Sequence, residues 1–479
     1  MPKTTATTSP SIDQTDTLTA QRLHFVGIGG SGMSGLAKLA KQRGAIVTGS
    51  DRAMPEGSYS PAVAALRASG IDVLLQQTAA SVPEACDTLV ISAAIPPDHP
   101  EVVEARRRGV EVVKYAQMLG RLIASPQTTG VAIAGTHGKS TTTSILCHAL
   151  LQADLDPSFI LGAHCEQIGG GSRAGANHSG GGTLIAEACE YDRSFHNYRP
   201  THATILNVEA DHLDLYSSID EIVESFATFA RLIDSKGSLL IHHESPHRLS
   251  IVAGLDAKVE TLGFASQADW RIKVDGDQVT LHEHGTLVCS WTQPLPGDHF
   301  AYNAAAAAVT AHRLGAPWDK IGPAITGFRG LDRRMQTVGR RGDILVLDDY
   351  GHHPTEIDTT LRALRQHHQP ERLICVFQPH QHSRTRHLME QFAVSFSAAD
   401  IVIVPEIYFV RDSEKERQAV TAGALVDRLR KQSVTAMHLH PFEAIVEQLE
   451  VLAKPGDLVV TMGAGDVWKI GRAFLDTAD

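Results

Sequence analysis

The chain contains no run of 18 or more uncharged apolar residues, so nothing in it has the form of a membrane-spanning helix. Cysteine is sparse: Cys86, Cys147, Cys165, Cys189, Cys289 and Cys375 are widely scattered, and no two form a C-x-x-C pair. That spacing argues against a disulfide framework or a structural zinc site, and for reduced thiols in a cytoplasmic protein, most of them small core residues. Excess positive charge is missing as well. With 43 Lys and Arg against 54 Asp and Glu, the net charge is −11, which speaks against broad binding to nucleic acid or a membrane surface. An anionic ligand therefore needs a locally built site of a few cations and helix N-termini. The Thr/Ser-rich start lacks the apolar core of a signal peptide, and residues 1–20 are expected to form a disordered tail.

What the chain does have is ordinary for a globular α/β protein: 479 residues, 43% apolar and 20% charged. That length corresponds to about three domains. Its most informative stretch is VAIAGTHGKSTTTSIL, Val131 to Leu146. The apolar run Val131–Ala134 reads as a buried strand. Gly135, Thr136, His137 and Gly138 read as a loop, and Lys139, Ser140 and Thr141 open a helix. The usual phosphate-binding loop is G-x-x-x-x-G-K-[ST], whereas the spacing here is the shorter G-x-x-G-K-S-T. The physics survives the shortening. Glycines let backbone N–H groups face an anion, the helix N-terminus attracts phosphate, and the Ser140 hydroxyl is placed to ligate Mg²⁺.

Ahead of that loop, RLHFVGIGGSGMSGLAKLAKQRGAIVTGSD follows βαβ grammar. It has a strand, a turn carrying Gly27, Gly29 and Gly32, a helix ended near Gly44, and a second strand reaching Asp51. The G-x-G-x-x-G spacing with an acid about 20 residues on suggests a diphosphate-binding turn with Asp51 near a ribose. A tight turn with no ligand, and an Asp51 that merely ends a strand, is the alternative. A strand at Leu89–Ile95 and a helix at Glu101–Arg108 continue the pattern.

Beyond the P-loop, a Gly-rich loop (Gly169 to Gly182) leads into TLIAEACEYDRSF and ATILNVEADHLDLY, two apolar runs that end in carboxylates. Ligands of α/β sheets sit at the carboxyl ends of strands, so Glu187, Glu190, Asp192, Asp211, His212 and Asp214 are expected near the P-loop phosphates. One glutamate with Ser140 suffices for a first Mg²⁺, and His212 could serve a second. PLPGDHFAYNAAAAAVTAHRLG then gives a loop and an Ala-rich helix, and a boundary is expected around Gly330. The last segment holds four further strands, each followed by polar, helix-starting residues. Asp349, His352, His353, His380, His382, Arg384 and Arg386 fall just after them, where loops carry chemistry.

Six stretches, HFVGIGGSGMSG, GTHGKSTTT, NVEADHLD, DDYGHHPTE, FQPHQHSRT and GAGDV, stand in the order and at the intervals of the Mur ligases, and the chain resembles that family from Leu23 onward. The likeness is greatest to its alanine-adding branch. It implies three α/β domains: a Rossmann-like UDP-sugar domain (21–125), a central P-loop ATPase-type domain (126–330) and a Rossmann-like C-terminal domain (331–479). It further implies an ATP- and Mg²⁺-dependent ligase, a monomer or weak homodimer, that joins L-alanine to the lactyl carboxylate of UDP-N-acetylmuramate through an acyl phosphate.

Residue by residue, the resemblance places Gly27, Gly29, Gly30, Ser31 and Gly32 on the UDP diphosphate, with Asp51 and Ser92 toward the uridine. It places the Gly135–Thr141 loop, with Lys139, on the ATP phosphates and Asn303 and Asp349 near adenine and ribose. Ser140, Glu187 and His212 would bind Mg²⁺, and His352 and Arg384 would lie near the amino acid. An α-amino group with a pKa of about 7.7–8.0 is only about a tenth neutral at pH 7, so either His352 or nearby cations must help it deprotonate.

The family's carbamoylated lysine after DHLD has no counterpart here, since no lysine lies between Asp214 and Lys236, which agrees with the alanine-adding branch. EACEYD, His299-Phe300, Gln381 and EIYFVRDSEKER depart from the family pattern. A peptidoglycan-recycling ligase that attaches a tripeptide would carry GICGT in its first loop. A nicotinamide dehydrogenase leaves the P-loop unexplained, and a non-catalytic UDP-sugar sensor leaves Lys139, Ser140, Glu187 and His212 without purpose.

Overall fold

The computed structural model describes residues 18–52, 60–175 and 182–477. Most of the expected N-terminal tail, and part of the Gly-rich loop before Gly182, lie outside these residues. Residues 18–20 depart from the expectation of a disordered tail. Leu18 is buried in the first core, and the Ala20 N–H donates to the Gly44 carbonyl at 2.9 Å. No helix among the described residues is long and apolar enough to cross a membrane.

The described strands form three sheets of five, ten and six strands. The first is parallel throughout, in the order Asp72–Leu74, Ile46–Ser50, Arg22–Val26, Thr88–Ile91, Glu111–Lys114. Its middle strands are short apolar runs buried on both faces, as helices covering a parallel sheet require. The strand expected at Leu89–Ile95 stops at Ile91. Ser92–Ile95 instead forms a turn, closed by the Ile95 N–H on the Ser92 carbonyl at 3.2 Å, with Pro96 and Pro97 next.

In the central sheet Thr128–Ala134 runs parallel between His202–Ile205 and Gly182–Ala188, with Ala134 in register with both Ile205 and Ala188. The three strands therefore end level, and the loops that follow them share one edge. The P-loop helix Lys139–Gln152 packs against Asp298–Arg313, whose residues from Phe300 to Ala311 are all buried. A run of alanines, Ala304 to Ala308, lets the two backbones lie close, and a helix apolar on all sides belongs in a core. An antiparallel ribbon, Trp270–Asp275, Gln278–Glu283 and Thr286–Thr292, extends the sheet at its far edge. The third sheet runs Gln336–Arg341, Ile344–Asp349, Leu458–Met462, Leu373–Phe377, Ile401–Val404, Thr435–His438, and all its pairings but the first are parallel.

Packing joins the three units unequally. One apolar cluster runs from the first sheet, through Met118, Leu119, Leu122 and Ile123 of helix Tyr115–Ile123, to Phe195, Tyr198 and Phe226 of the central unit. The third sheet has its own apolar cluster on each face, to one of which the central unit adds Leu213 and Leu295.

Candidate active site

The P-loop is shaped by a residue that tolerates left-handed backbone. Gly138 has φ 83°, and a Cβ there would lie 2.5 Å from Asn303 Oδ1, so a side chain is excluded twice over. Asn303 of the alanine-rich helix is thereby held against the loop, where the resemblance placed it. His137 N–H donates to Asn207 Oδ1 at 2.7 Å, and the Thr136 N–H donates to the Asn207 carbonyl at 3.1 Å. The loop is thus pinned to the end of the neighbouring strand.

Lys139 folds back into this loop. Its Nζ donates to the carbonyls of Gly135 and Thr136 and pairs with Glu190, 2.9 Å from Oε2 and 3.2 Å from Oε1. Burial alone would lower its pKa, but Glu190, aided by Cys189 and Glu187, holds it above the usual lysine value. The lysine is therefore a fixed cation, ready to exchange one anionic partner for another.

His212 takes a left-handed backbone, φ 53°, with its N–H on the Asp211 carboxylate at 2.7 Å. A non-glycine residue in that region costs about 1–3 kcal/mol and points to a constrained, functional position. Its Nε2 lies 3.7 Å from both Glu190 Oε1 and Asp211 Oδ2, and its buried Nδ1 has no hydrogen-bond partner. Glu187 accepts the Gly162 N–H at 2.8 Å. Carboxylates around a lysine at the P-loop, with an orphaned imidazole nitrogen beside them, are a donor set that fits Mg²⁺, which asks for few protein ligands. Glu190 is the surprise: it, rather than Glu187, joins Lys139 to His212.

A cavity of about 740 Å³ opens from the loop, between the central and third units. Asn303, His299, Tyr302, Arg334 and Asp349 line it. Tyr302 Oη and His299 Nδ1 are buried without partners, which leaves hydrogen-bonding capacity for a polar ligand. Burial pushes His299 down to about 4, so its ring is neutral. Asp349 accepts the N–H groups of Met335 and Gly351, at 2.8 and 2.7 Å, yet burial raises its pKa to about 6.

On the far side of His212, the third unit closes the ring of charge. Arg384 Nε donates to Asp211 Oδ1 at 3.0 Å and its Nη2 to Oδ2 at 3.4 Å, while Nη1 lies 3.1 Å from His380 Nδ1. Burial opposes a charge on Asp211, but Arg384 and then His212 hold its carboxyl well below the usual range. Arg384 thus lies beside the expected residues, with its guanidinium already committed to Asp211. His352 stands 5.8 Å from the His380 ring, and burial with Arg384 lowers it to about 4. Arg386 is exposed. The divergent segment EIYFVRDSEKER has a structural purpose here: Asp412 caps helix His382–His387, accepting from its first N–H groups and from Ser383 Oγ at 2.6 Å.

The first unit's glycine turn forms a separate group. Gly29 N–H donates to Asp51, Gly27 packs toward Ser92, and helix Ser31–Gln42 follows. Asp51 therefore braces the turn itself. A Cβ on Gly32 would lie 3.1 Å from the Tyr115 ring, and Tyr115 in turn is close enough to Glu187 to feel its charge. That ring is the link from the turn to the P-loop edge.

Two charged residues of the site were not singled out from sequence: Glu209 and Glu356, which flank His137 at 3.6 and 3.2 Å. Glu356 had a local signal, since it stands three residues after His353 as the partner of a capping box.

Comparison with known proteins supplies the family. Residues 22–126 match the profile described as "Mur ligase family, catalytic domain", 133–311 the "Mur ligase middle domain", and 333–465 the "Mur ligase, glutamate ligase domain". The UDP-N-acetylmuramate–L-alanine ligase of Desulfitobacterium hafniense (strain Y51) is 38% identical over 95% of this chain and 99% of its own. That of Streptomyces coelicolor is 37% identical over 95% and 97%. Among solved structures, a murein peptide ligase from Psychrobacter arcticus matches with TM-score 0.66 and 26% identity over 96% of this chain and 99% of its own. A UDP-N-acetylmuramate-alanine ligase from Thermotoga maritima shares the fold, with TM-score 0.73 and 24% identity over 95% and 98%. With three profiles in order along it and relatives of this identity over its length, the chain belongs to the Mur ligase family.

Proposed function

We propose that the chain joins L-alanine to the lactyl carboxylate of UDP-N-acetylmuramate, with ATP converted to ADP and phosphate, in the making of peptidoglycan precursors. The observation that carries this reading is the ring Lys139–Glu190–His212–Asp211–Arg384, which spans the central and third units beside the nucleotide cavity. Full-length relatives named for that reaction support the choice of substrates.

A carboxylate resists an amine because it is anionic and lacks a leaving group. Transfer of the γ-phosphoryl group to a carboxylate oxygen supplies one, and the amine then displaces phosphate from the acyl carbon. Lys139 exchanges Glu190 for the ATP phosphates as they enter, so that its charge stays paired, while the freed Glu190 carboxylate faces His212. Ser140, Glu187 and His212 would hold Mg²⁺, which would supply positive charge against the phosphates, with Glu190 beside them. Asn303, His299 and Tyr302 orient the base, and Asp349 lies toward the ribose. In the first unit, Gly27 to Gly32 take the diphosphate, with Asp51 bracing their turn.

The low basicity of His352 bears on its part in the reaction. At about 4 it is neutral at pH 7, and a proton handed to it from an ammonium of pKa about 8 moves uphill by roughly 5 kcal/mol. His352 would therefore accept a hydrogen bond and orient the amine, while Arg384 and a bound metal would lower the amine's own pKa. The departing proton goes to solvent.

The test is phosphate release with ATP, Mg²⁺ and UDP-N-acetylmuramate. L-Alanine should give the highest kcat/KM, with glycine lower by about 10–200-fold for the lost methyl. Release that responds to a tripeptide and ignores L-alanine would move the chain to the peptide-attaching ligases.

A further inference from the structure

Three side chains on the wall of the nucleotide cavity have no task in the reaction just described. They are His137 of the P-loop, Glu209 beyond strand His202–Ile205, and His353 at the start of helix Pro354–His368. Their ligand atoms all lie within 4.8 Å of one another. Glu209 Oε2 is 3.6 Å from His137 Nε2 and 3.9 Å from His353 Nδ1.

A second layer of groups aims these atoms at one point. Glu356 Oε1 lies 3.2 Å from His137 Nδ1, which takes up that nitrogen and turns Nε2, buried and unpartnered, toward Glu209. His353 Nε2 donates to the Ala210 carbonyl at 3.2 Å, so its lone pair is on Nδ1, where it caps the helix through a long bond, 3.3 Å, from the Thr355 N–H and faces the N3 backbone. Thr355 Oγ1 donates to Glu209 Oε2 at 2.6 Å. Metal-binding histidines are oriented in this way, by an acceptor on the ring nitrogen that faces away from the ion.

We propose that His137, Glu209 and His353 form a binding site for a divalent transition-metal ion of the zinc type, separate from the Mg²⁺ set at Ser140, Glu187 and His212. Two imidazoles and a carboxylate, with a fourth position open to the cavity, suit zinc, whereas Mg²⁺ asks for oxygen ligands. With metal–nitrogen bonds of about 2.0–2.1 Å, tetrahedral neighbours lie about 3.4 Å apart, so the donors need to close by no more than about 1.4 Å. The ion displaces the proton now held on His137. Because His137 and Glu209 belong to the central sheet's loops and His353 to the third unit, it also clasps those two units together.

The experiment uses the full chain, stripped of metal by a chelator, with neither ATP nor UDP-sugar present, so that its outcome is independent of the proposed reaction. Co²⁺ is titrated as a spectroscopic probe and Zn²⁺ by calorimetry. The expected result is a single equivalent of Co²⁺ with the intense visible absorption of a tetrahedral site, displaced by Zn²⁺. Affinity should fall at least 10-fold in Glu209→Gln and in His353→Gln, and about 10-fold in Glu356→Gln, which removes only the outer partner of His137. Circular dichroism confirms folding of each variant, and the wild-type spectrum decides by itself if a variant fails to fold. A weak octahedral Co²⁺ spectrum, or wild-type affinity in folded Glu209→Gln or His353→Gln, overturns the proposal.

Discussion

The two junctions between the units are built from different materials. First and central units share one apolar cluster, in which Leu119, Ile123, Phe195 and Tyr198 are nearly all inaccessible. Central and third units meet mainly through polar contacts: Asp211 with Arg384, Glu209 with Thr355, His137 with Glu356 and His353 with Ala210. A shared hydrophobic core fixes two units as one body, whereas polar contacts resemble a transient interface and permit relative motion. The glycine turn Gly27–Gly32 is therefore set firmly against the P-loop, and the junction whose polar contacts permit adjustment is the one that carries Arg384 and His352.

The largest effects should come from cutting each junction once. Arg384→Ala leaves Asp211 buried and unpaired and should cost about 3–5 kcal/mol of stability, with KM for the amino acid rising as well. Leu119→Ala should cost about 2–5 kcal/mol through a cavity in the shared cluster, yet leave the kinetic constants of the surviving folded enzyme close to wild type. Denaturant melts with parallel kinetics check both. If Leu119→Ala altered the amino-acid KM while Arg384→Ala did not, the contrast between the junctions would be inverted. Lys139→Ala comes next: loss of about 10²–10³-fold in kcat, with UDP-N-acetylmuramate affinity unchanged by calorimetry, since the proposed reading puts the sugar nucleotide on the first unit's glycine turn.

pH sharpens the comparison further. Burial opposes a charge on His137, but Glu356 and Glu209 raise it to about 9. A raised histidine stabilises fully below its unfolded pKa of about 6.5, and that stability, about 3 kcal/mol, is lost as pH rises through 9. His352 touches the same Glu356, with Nδ1 3.5 Å from Oε2, yet sits at about 4 because it is buried beside Arg384. A chemical-shift titration should find His137 protonated at pH 7.5 and His352 neutral, and Glu209→Gln should lower the first. A neutral His137 at pH 7.5 would remove the charge from this part of the polar junction. Smallest is the metal response: Glu187→Gln and His212→Ala should each raise the Mg²⁺ needed for half-maximal turnover by about 10-fold, with partial rescue at high Mg²⁺. Wild-type Mg²⁺ dependence in both would make these residues structural.

Much of this was readable in the chain because the motifs are local. The strand Val131–Ala134, the loop Gly135–Gly138 and the helix from Lys139 need only a few successive residues, and they appear where the pattern put them. The hidden parts depend on distant pairs. Arg384 and Asp211 are separated by 173 positions, and no local pattern says that the arginine is already committed. Nor did EACEYD reveal that its second glutamate, Glu190, would reach Lys139, because that choice is made by the curvature of Tyr191–Asn197, where Asp192 and Arg193 take left-handed backbone. The antiparallel ribbon Trp270–Thr292 was missed although its signals are local, since two-residue turns, Gly276-Asp277 and His284-Gly285, join its strands.

The central claim is that ATP activates the sugar carboxylate beside Lys139, with the amine attacking from the Arg384 side. It is tested most directly by the fate of a carboxylate oxygen. UDP-N-acetylmuramate labelled with ¹⁸O in its lactyl carboxylate is turned over with ATP, Mg²⁺ and L-alanine, and the released phosphate is examined by mass spectrometry. Passage through an acyl phosphate requires one labelled oxygen to leave with the phosphate and the other to remain in the amide. Phosphate free of label, released at the same rate with or without L-alanine, would show that water rather than the carboxylate takes the phosphoryl group, and would contradict the account.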